Sequence, residues 1–201
     1  MSLFEDRSQA GRNLSEFLKT KIDIDLVVIP YEGAFDIGLE IARDHDAEIE
    51  ILLSDFIYAP NLSHADIGAV VEDRTLWIED KLVEELNVDR SYIAKEASRK
   101  AESLRKSNPN KSLKYNKTDN IVIASEGLGS GFREAAVAGS LLKKGYNRVF
   151  VAAPFRSRNM MADLEKIANG LFYLNEIPFL SSADSCYKQN ENKVGIESYK
   201  Y

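Results

Sequence analysis

The fold class is decided by residues 121–133, which read IVIASEGLGSGFR. Residues 121–124 are a short apolar run that predicts a buried strand, and the three glycines after it predict a tight turn. A helix is predicted from Phe132 to about residue 144, where Gly145 stops it. A strand, a glycine-rich turn and a helix in this order form the repeating unit of parallel α/β sheets.

The glycine-rich turn also has the composition of an anion-binding loop. Glycines let backbone N–H groups approach an anion closely, and the start of the following helix carries the positive end of its dipole. Ser130 adds a hydroxyl donor and Arg133 a positive charge, although Arg133 can equally pair with Glu126 across the turn. The alternative is an ordinary βα turn in which the glycines only permit close packing. The phosphate-binding prediction covers Gly127, Leu128, Gly129, Ser130, Gly131 and Arg133.

Two better-known phosphate motifs are absent from this turn. A P-loop requires a lysine directly after its last glycine, and here Phe132 follows Gly131. A dinucleotide-binding turn needs a third glycine where Phe132 stands and an acidic residue at the end of the next strand, which reads Ala152-Ala153-Pro154. The turn therefore points to a phosphate group rather than to a nicotinamide or flavin cofactor.

The rest of the chain alternates strands with helices, which indicates a parallel sheet covered on both faces. A hairpin predicted at 67–78 breaks this alternation and is expected to form a small flap, at about residues 55–80. The prediction is a single α/β domain over residues 1–201, with a parallel sheet of about five strands, helices on both faces and a polar tail from about 186 to 201. Strands are predicted at 25–30, 49–57, 67–71, 75–78, 121–124, 148–153 and 171–174, helices at 8–20, 35–45, 79–107, 132–144 and 157–170, and a polar linker at 108–119.

Length and composition narrow the class of protein. A chain of 201 residues suffices for one domain at about 150 residues each. A formal net charge of -6 argues against a general nucleic-acid-binding protein. Cys186 is the only cysteine, so no internal disulfide forms, and this fits a reducing cytoplasm. Because the chain has no apolar run of about 18 residues and no signal core, we expect a cytoplasmic protein that binds neither membrane nor nucleic acid.

Several short motifs follow one another between residues 4 and 180. They are Phe4-Glu5-Asp6-Arg7 with Ala10-Gly11-Arg12, Pro30 with Gly33, Ala59-Pro60-Asn61 before Ile67-Gly68-Ala69-Val70 and Glu72-Asp73, and Tyr92-Ile93 with Glu96 and Arg99. Their order, together with the turn at 125–131, resembles the type I phosphoribosyltransferases, in particular a branch of predicted members. Each motif alone is weak, whereas the ordered set is fairly specific.

The resemblance implies both a fold and a reaction. Members transfer ribose 5-phosphate from phosphoribosyl pyrophosphate (PRPP) to a nitrogenous base with Mg²⁺, and similar proteins are commonly homodimers. By position, Glu126 would be the catalytic residue that holds the ribose, and the 127–131 loop with Ser130 would bind the 5-phosphate. Two further sets of positions follow from the resemblance, namely Tyr31, Glu32 and Gly33 at the pyrophosphate loop, and Tyr58 and His64 beside the base.

This sequence departs from the family pattern at charged positions. Ser125 replaces the first acid of the ribose-binding pair, which leaves Glu126 alone. Tyr31 replaces the arginine of the pyrophosphate loop, and Glu32 replaces a glycine. Two like unit charges about 5 Å apart repel by roughly 3 kcal/mol at an effective dielectric constant near 20, so these changes oppose a highly charged anion. The second strand adds to the effect, since it carries Ser54 and Asp55 in place of arginine and lysine.

Two functions therefore stay open. The first is a phosphoribosyltransferase that uses PRPP and a nitrogenous base. The second is a non-catalytic relative that binds a phosphate compound or nucleotide and acts as a regulator or as a partner of an active homologue. In both cases the ligand is a phosphorylated small molecule, either PRPP or a nucleoside monophosphate. Mg²⁺ is expected only together with PRPP, and no metal site of the protein's own is predicted.

Overall fold

The structure is a computed structural model that describes residues 2–62, 64–108, 119–180 and 182–189. Its strands are β1 (Leu26–Ile29), β2 (Glu48–Ile51), β3 (Ser54–Tyr58), β4 (Asp66–Val71), β5 (Leu76–Ile78), β6 (Ile121–Ala124), β7 (Val149–Ser157) and β8 (Gly170–Ile177). Its α-helices are α1 (Arg7–Leu18), α2 (Phe35–His45), α3 (Asp80–Glu85), α4 (Arg90–Ser107), α5 (Phe132–Lys143) and α6 (Leu164–Ile167). Within the described residues, five parallel strands form the main sheet in the order β2-β1-β6-β7-β8, and an antiparallel sheet has the order β3-β4-β5.

The middle of the main sheet is formed by β1 and β6, whose residues are all buried. Continuous apolar strands of this kind have no polar face and therefore need cover on both sides. Helices α1 and α2 pack on one side through side chains such as Leu14 and Ile37. Helix α5 covers the other side through Phe132 and Leu141. The predicted fold class, a five-stranded parallel α/β sheet between helices, is confirmed.

The predicted flap is the antiparallel sheet β3–β5 together with helices α3 and α4. Because β3 begins directly after β2 ends, the flap rises from the carboxyl edge of the main sheet. The flap has a small hydrophobic core of its own, which includes Ile57, Ile67, Val70, Val83, Ile93 and Ala101.

The single strand predicted at 49–57 is wrong, because the chain bends in the middle of it. The main-sheet strand ends at Ile51, and β3 begins at Ser54. Glu72 of the flap stabilises the bend, since its amide donates to the Leu53 carbonyl at 2.9 Å and its carboxylate accepts from the Leu53 amide at 3.2 Å. The bend transfers the second half of the apolar run from the main sheet to the flap.

The single helix predicted at 79–107 is also two elements, α3 and α4. Asn87 between them adopts a left-handed conformation with a φ of 51°, which ends the first helix. The Asp89 carboxylate accepts a hydrogen bond from the Ser91 amide at 2.6 Å and caps the second.

The helix predicted at 157–170 is wrong for most of its length, and β7 extends beyond its predicted end at residue 153. The strand runs on to Ser157, and the following helix is only Leu164–Ile167. Leu128 of the glycine-rich turn lies beside this extension, where its amide donates to the Phe155 carbonyl at 3.0 Å and its carbonyl accepts from the Ser157 amide at 2.7 Å. The extended part of β7 also pairs with β8, along the edge opposite to Leu128. The turn is thereby held against β7 like a short extra strand.

The segment predicted as a polar tail begins with two buried residues, Cys186 and Tyr187. The Tyr187 ring packs against Phe4 and Phe155, with ring centres 6.2 and 5.8 Å away. The Cys186 carbonyl accepts a hydrogen bond from the Phe4 amide at 3.1 Å. The start of this segment is therefore part of the folded core rather than a solvated arm.

The linker predicted at 108–119 and the tail predicted at about 186–201 fall largely outside the described residues, since residues 109–118 and 190–201 are not among them. Among the helices that the structure describes, none combines the length and the apolar character needed to cross a membrane. A single domain over residues 1–201 stays a prediction.

Asp73 anchors the flap to helix α5. Its carboxylate accepts from the Ser140 hydroxyl at 2.5 Å and pairs with the Lys144 ammonium at 2.9 Å. Partial burial by itself raises the pKa of Asp73, but the bonds from Ser140 and Lys144 outweigh it and lower the pKa to about 2. The ionised carboxylate therefore stabilises the folded state.

We expect Asp73→Asn to lower the free energy of unfolding at pH 7 by about 1 kcal/mol, a figure reduced for solvent screening. Because the folded pKa lies below the unfolded value, this stabilisation is complete above about pH 4 and is lost as the pH falls towards 2. Urea unfolding at pH 7 and at pH 3 measures the effect, which should shrink at pH 3. Asp80→Asn is the control, because Asp80 pairs with Arg90 on the exposed surface. Equal losses for the two variants would contradict the anchoring role.

Candidate functional site

A cleft of about 350 Å³ lies between the flap and the carboxyl edge of the main sheet. Ligands of open α/β sheets bind at this edge. The structure brings most of the predicted site residues to this one cleft, namely Tyr58, His64, Glu126, Gly127, Gly129, Ser130, Gly131 and Arg133. The cleft also contains Phe56 of the flap and residues that were not predicted from the sequence, namely Asp66, Glu134, Leu180, Ser182, Ala183 and Asp184.

The glycine-rich loop presents its second half to the cleft. Leu128 is fully buried and its amide donates to the Phe155 carbonyl, so Leu128 does not offer an N–H group to a phosphate as predicted. The amides of Gly129, Ser130 and Gly131 have no hydrogen-bond acceptor within the described part of the chain. Helix α5 begins directly after them, so its positive dipole end points into the same space.

Ser130 joins the loop to the flap. Its hydroxyl donates to the Asp66 carboxylate at 2.5 Å. Asp66 is the first residue of β4, so this contact closes the flap over the loop. Neither local spacing nor composition indicates the pair, because 64 residues separate its members.

Arg133 lies between two aromatic rings at the floor of the cleft. Its guanidinium carbon is 3.3 Å from the centre of the Tyr31 ring and 4.3 Å from that of Phe56. The expected alternative, an ion pair with Glu126, does not form, and Arg133 has no carboxylate partner among the described residues. Its Nε atom is buried without a hydrogen-bond acceptor in the same part of the chain. Stacking thus holds a positive charge at the cleft, with no carboxylate partner among the residues that the structure describes.

Ser125 and Tyr31 face the interior below the cleft, and neither lines it. The Ser125 hydroxyl lies 2.9 Å from the Tyr31 hydroxyl and donates to the buried Glu134 carboxylate at 2.7 Å. Burial first, and then the charge of Glu134, raises the pKa of Tyr31 far above its ordinary value. Tyr31 is therefore a neutral hydrogen-bonding group that supports the loop from beneath.

Glu126 is held by an arginine from the first helix. Nε and Nη2 of Arg7 donate to Glu126 Oε2 at 2.8 and 2.6 Å, and Nη2 also contacts an Asp184 carboxylate oxygen at 2.5 Å. The side chains of Arg7 and Glu126 are only 5% and 13% exposed. Burial alone lowers the pKa of Arg7, but the bonds to Asp184 and Glu126 outweigh it and raise the pKa. The sequence motif contained Arg7, but it did not indicate this partner.

Glu32 and Gly33 do not line the cleft, although the Gly33 backbone lies against the side chain of Glu126. A Cβ atom at Gly33 would lie 2.5 Å from the nearest Glu126 carboxylate oxygen, so this close approach requires glycine. The negative charge predicted at Asp55 is offset, because Lys100 of α4 pairs with it at 2.5 Å. The sequence analysis treated Asp55 as a negative charge opposing an anion, because the sequence did not indicate that Lys100 pairs with it.

The cleft has no ready-made metal site. Within the residues that the structure describes, no three or more His, Cys, Asp or Glu side chains are grouped to hold an ion. His64, the only histidine of the cleft, is exposed on the loop before β4. The described residues therefore do not form a preformed site of three or more such ligands for Mg²⁺.

The chain is similar in sequence to known proteins. The chain is 25% identical over 171 residues to a protein named "Putative phosphoribosyl transferase" from two strains of Mycobacterium tuberculosis. The match covers 81% of this chain and 38% of that protein, so the chain spans well under half the length of these relatives. No family model matches the chain.

Solved structures of other proteins also resemble this chain. The protein TT1426 from Thermus thermophilus superposes with a TM-score of 0.71 at 24% identity, covering 96% of this chain and 94% of that one. A purine phosphoribosyltransferase from Pyrococcus horikoshii superposes with a TM-score of 0.51 at 11% identity, covering 87% of this chain and 84% of that one. The type I phosphoribosyltransferase fold predicted from the sequence resemblance is confirmed.

Gly127 is required by the packing of the loop on β7. A Cβ atom at this position would lie 2.1 Å from the Phe155 ring. We therefore expect Gly127→Ala to lower the free energy of unfolding by about 2 kcal/mol, as measured by urea unfolding. Gly129→Ala is the matched control, because its Cβ would lie 3.7 Å from the nearest atom, in Leu180. The control should stay within about 0.5 kcal/mol, and equal losses would contradict the steric role of Gly127.

Proposed function

We propose that the chain is a phosphoribosyltransferase that binds the ribose 5-phosphate part of PRPP in this cleft and transfers it to a nitrogenous base. The observation that carries the proposal is the set of positively polarised and charged groups around the glycine-rich loop. The loop amides at 129–131, the start of α5 and Arg133 meet there, and Arg133 has no carboxylate partner in the described part of the chain. Such a combination favours a phosphate group.

The other residues of the cleft support an orientation of the ligand. With the 5-phosphate on the loop, Glu126 would accept a hydrogen bond from a ribose hydroxyl. Phe56 and Tyr58 of the flap would offer ring faces to the base, with His64 at the rim. Burial and the neighbouring Asp55 raise the pKa of Tyr58, which keeps its phenol protonated.

The pyrophosphate side differs from the family pattern but does not lack positive charge. Tyr31 stands where the loop arginine is expected, and the guanidinium of Arg133 lies directly over its ring. In this proposal α5 thus supplies a charge that the loop has lost. Mg²⁺ enters only as an ion carried by the phosphate oxygens of PRPP, since the described protein groups do not form a site for it.

A second candidate is a non-catalytic nucleotide-binding protein that acts as a regulator or as a partner of an active homologue. The interior network of Ser125, Tyr31 and Glu134 favours it. Because Ser125 belongs to this network, Glu126 is the one acid of the expected ribose-binding pair at the cleft. Loss of the other acid weakens the binding of the ribose needed for transfer, whereas the phosphate-binding loop is kept. For either candidate, we propose a cytoplasmic homodimer with no nucleic-acid or membrane partner, an assembly that light scattering of the purified protein tests.

Calorimetric titration tests the phosphate site. We expect wild-type protein to bind PRPP with Mg²⁺, or a nucleoside monophosphate, and Arg133→Ala to weaken that binding by about ten-fold or more, because one charge-assisted hydrogen bond is lost. Arg90→Ala is the control, since Arg90 lies on the exposed surface of α4 with Asp80. Thermal unfolding checks that Arg133→Ala still folds, and Ser130→Ala provides a milder second variant.

The titration also separates the two candidates. Mg²⁺-dependent PRPP binding followed by pyrophosphate release with a nitrogenous base would support the transferase. Binding of a nucleoside monophosphate without turnover of PRPP would support the non-catalytic protein. Failure of every phosphate ligand to bind, or equal binding by wild type and Arg133→Ala, would contradict the phosphate site itself.

A further inference from the structure

Two carboxylates that line the cleft, those of Glu126 and Asp184, are bridged by a single nitrogen atom. Nη2 of Arg7 lies 2.6 Å from Glu126 Oε2 and 2.5 Å from Asp184 Oδ1. The two carboxylate oxygens are therefore no more than about 5 Å apart. Both side chains line the cleft.

Asp184 is held in this position by the fold rather than by the ion pair alone. The Ser182 hydroxyl accepts from the Asp184 amide at 3.3 Å and caps the turn Ala183–Cys186. The next two residues, Cys186 and Tyr187, are buried against the start of the chain. The carboxylate is thus presented to the cleft by a segment that is anchored directly after it.

Arg7 does not use all of the acceptor capacity of Glu126. Its bonds to Glu126 go to Oε2, and Oε1 has no hydrogen-bond donor among the described residues. The Asp184 side chain is 56% exposed, so a ligand in the cleft can reach it. Among the described residues, these two carboxylates and one guanidinium have a formal net charge of about one negative unit, which disfavours a phosphate here and favours neutral hydroxyl donors.

We propose that Asp184 is a specificity-determining residue of the cleft, where it and Glu126 accept hydrogen bonds from the two adjacent hydroxyls of the ligand's ribose. This inference rests on the proposed function, which places the 5-phosphate on the loop next to Glu126. Adjacent cis hydroxyls are spaced so that each can donate to one of two acceptors at this separation. The second acid that Ser125 no longer provides would then come from a segment 59 residues further along the chain.

The inference predicts a preference for ribose over 2-deoxyribose. We expect wild-type protein to bind ribose 5-phosphate about ten-fold more tightly than 2-deoxyribose 5-phosphate, because the deoxy sugar lacks one donor to a carboxylate. Calorimetric titration of the full chain with the two sugar phosphates measures the ratio. The comparison needs no variant and no knowledge of the base.

The variant Asp184→Asn identifies the residue responsible. It should bind 2-deoxyribose 5-phosphate as wild type does and should lose most of the preference for ribose 5-phosphate. A merely structural role of Asp184 would weaken both ligands equally and leave the ratio unchanged, which would overturn the inference. Asp163→Asn is the matched control, because Asp163 is similarly exposed, at 51%, and pairs with Lys166 outside the cleft.

The outcomes separate this inference from the proposed function. If wild type binds both sugar phosphates equally, the role of Asp184 is overturned while the phosphate site stands. If Asp184→Asn keeps the wild-type preference, the same conclusion follows. If wild type binds neither sugar phosphate nor any nucleotide, the proposed function is overturned and the inference with it.

Discussion

The buried guanidinium of Arg7 is the interaction on which the arrangement of the cleft depends. A charge that is 95% removed from solvent must be paired, because an isolated buried ion is several kcal/mol less stable than a paired one. Among the described residues, Arg7 pairs with a carboxylate from the loop after β6 and with one from the segment after β8. One side chain of the first helix therefore joins the beginning, the middle and the end of the described chain at the wall of the cleft.

The glycine-rich loop adds the second constraint. It lies against β7 so closely that a side chain at 127 would overlap the Phe155 ring, and Leu128 pairs with the extended strand. The first half of the loop packs against β7. The amides of its second half, at residues 129–131, have no acceptor among the described residues and face the cleft. The cleft is consequently polar, and it is lined by the guanidinium of Arg133 and by the carboxylates of Asp66, Glu126, Glu134 and Asp184.

Sequence reasoning worked where structure depends on neighbouring residues. The run 121–133 predicts a strand, a turn and a helix because glycine conformation and apolar periodicity act over a few residues. It failed at 157–170, where β7 continues beside Leu128 and β8 as far as Ser157 and only Leu164–Ile167 is helical. It also placed Leu128 in the phosphate site, since a sequence does not tell which amides of a loop are already used.

The sequence by itself determined the fold class, the flap and the position of the glycine-rich loop, because these follow from local patterns and from an ordered set of motifs. Only the tertiary structure decided which charges face one another. Arg7 and Glu126 are 119 residues apart, and Arg7 and Asp184 are 177 apart. The stacking of Arg133 on Tyr31 likewise joins different elements. Electrostatic and stacking contacts act through space, so neither periodicity nor spacing along the chain encodes their partners.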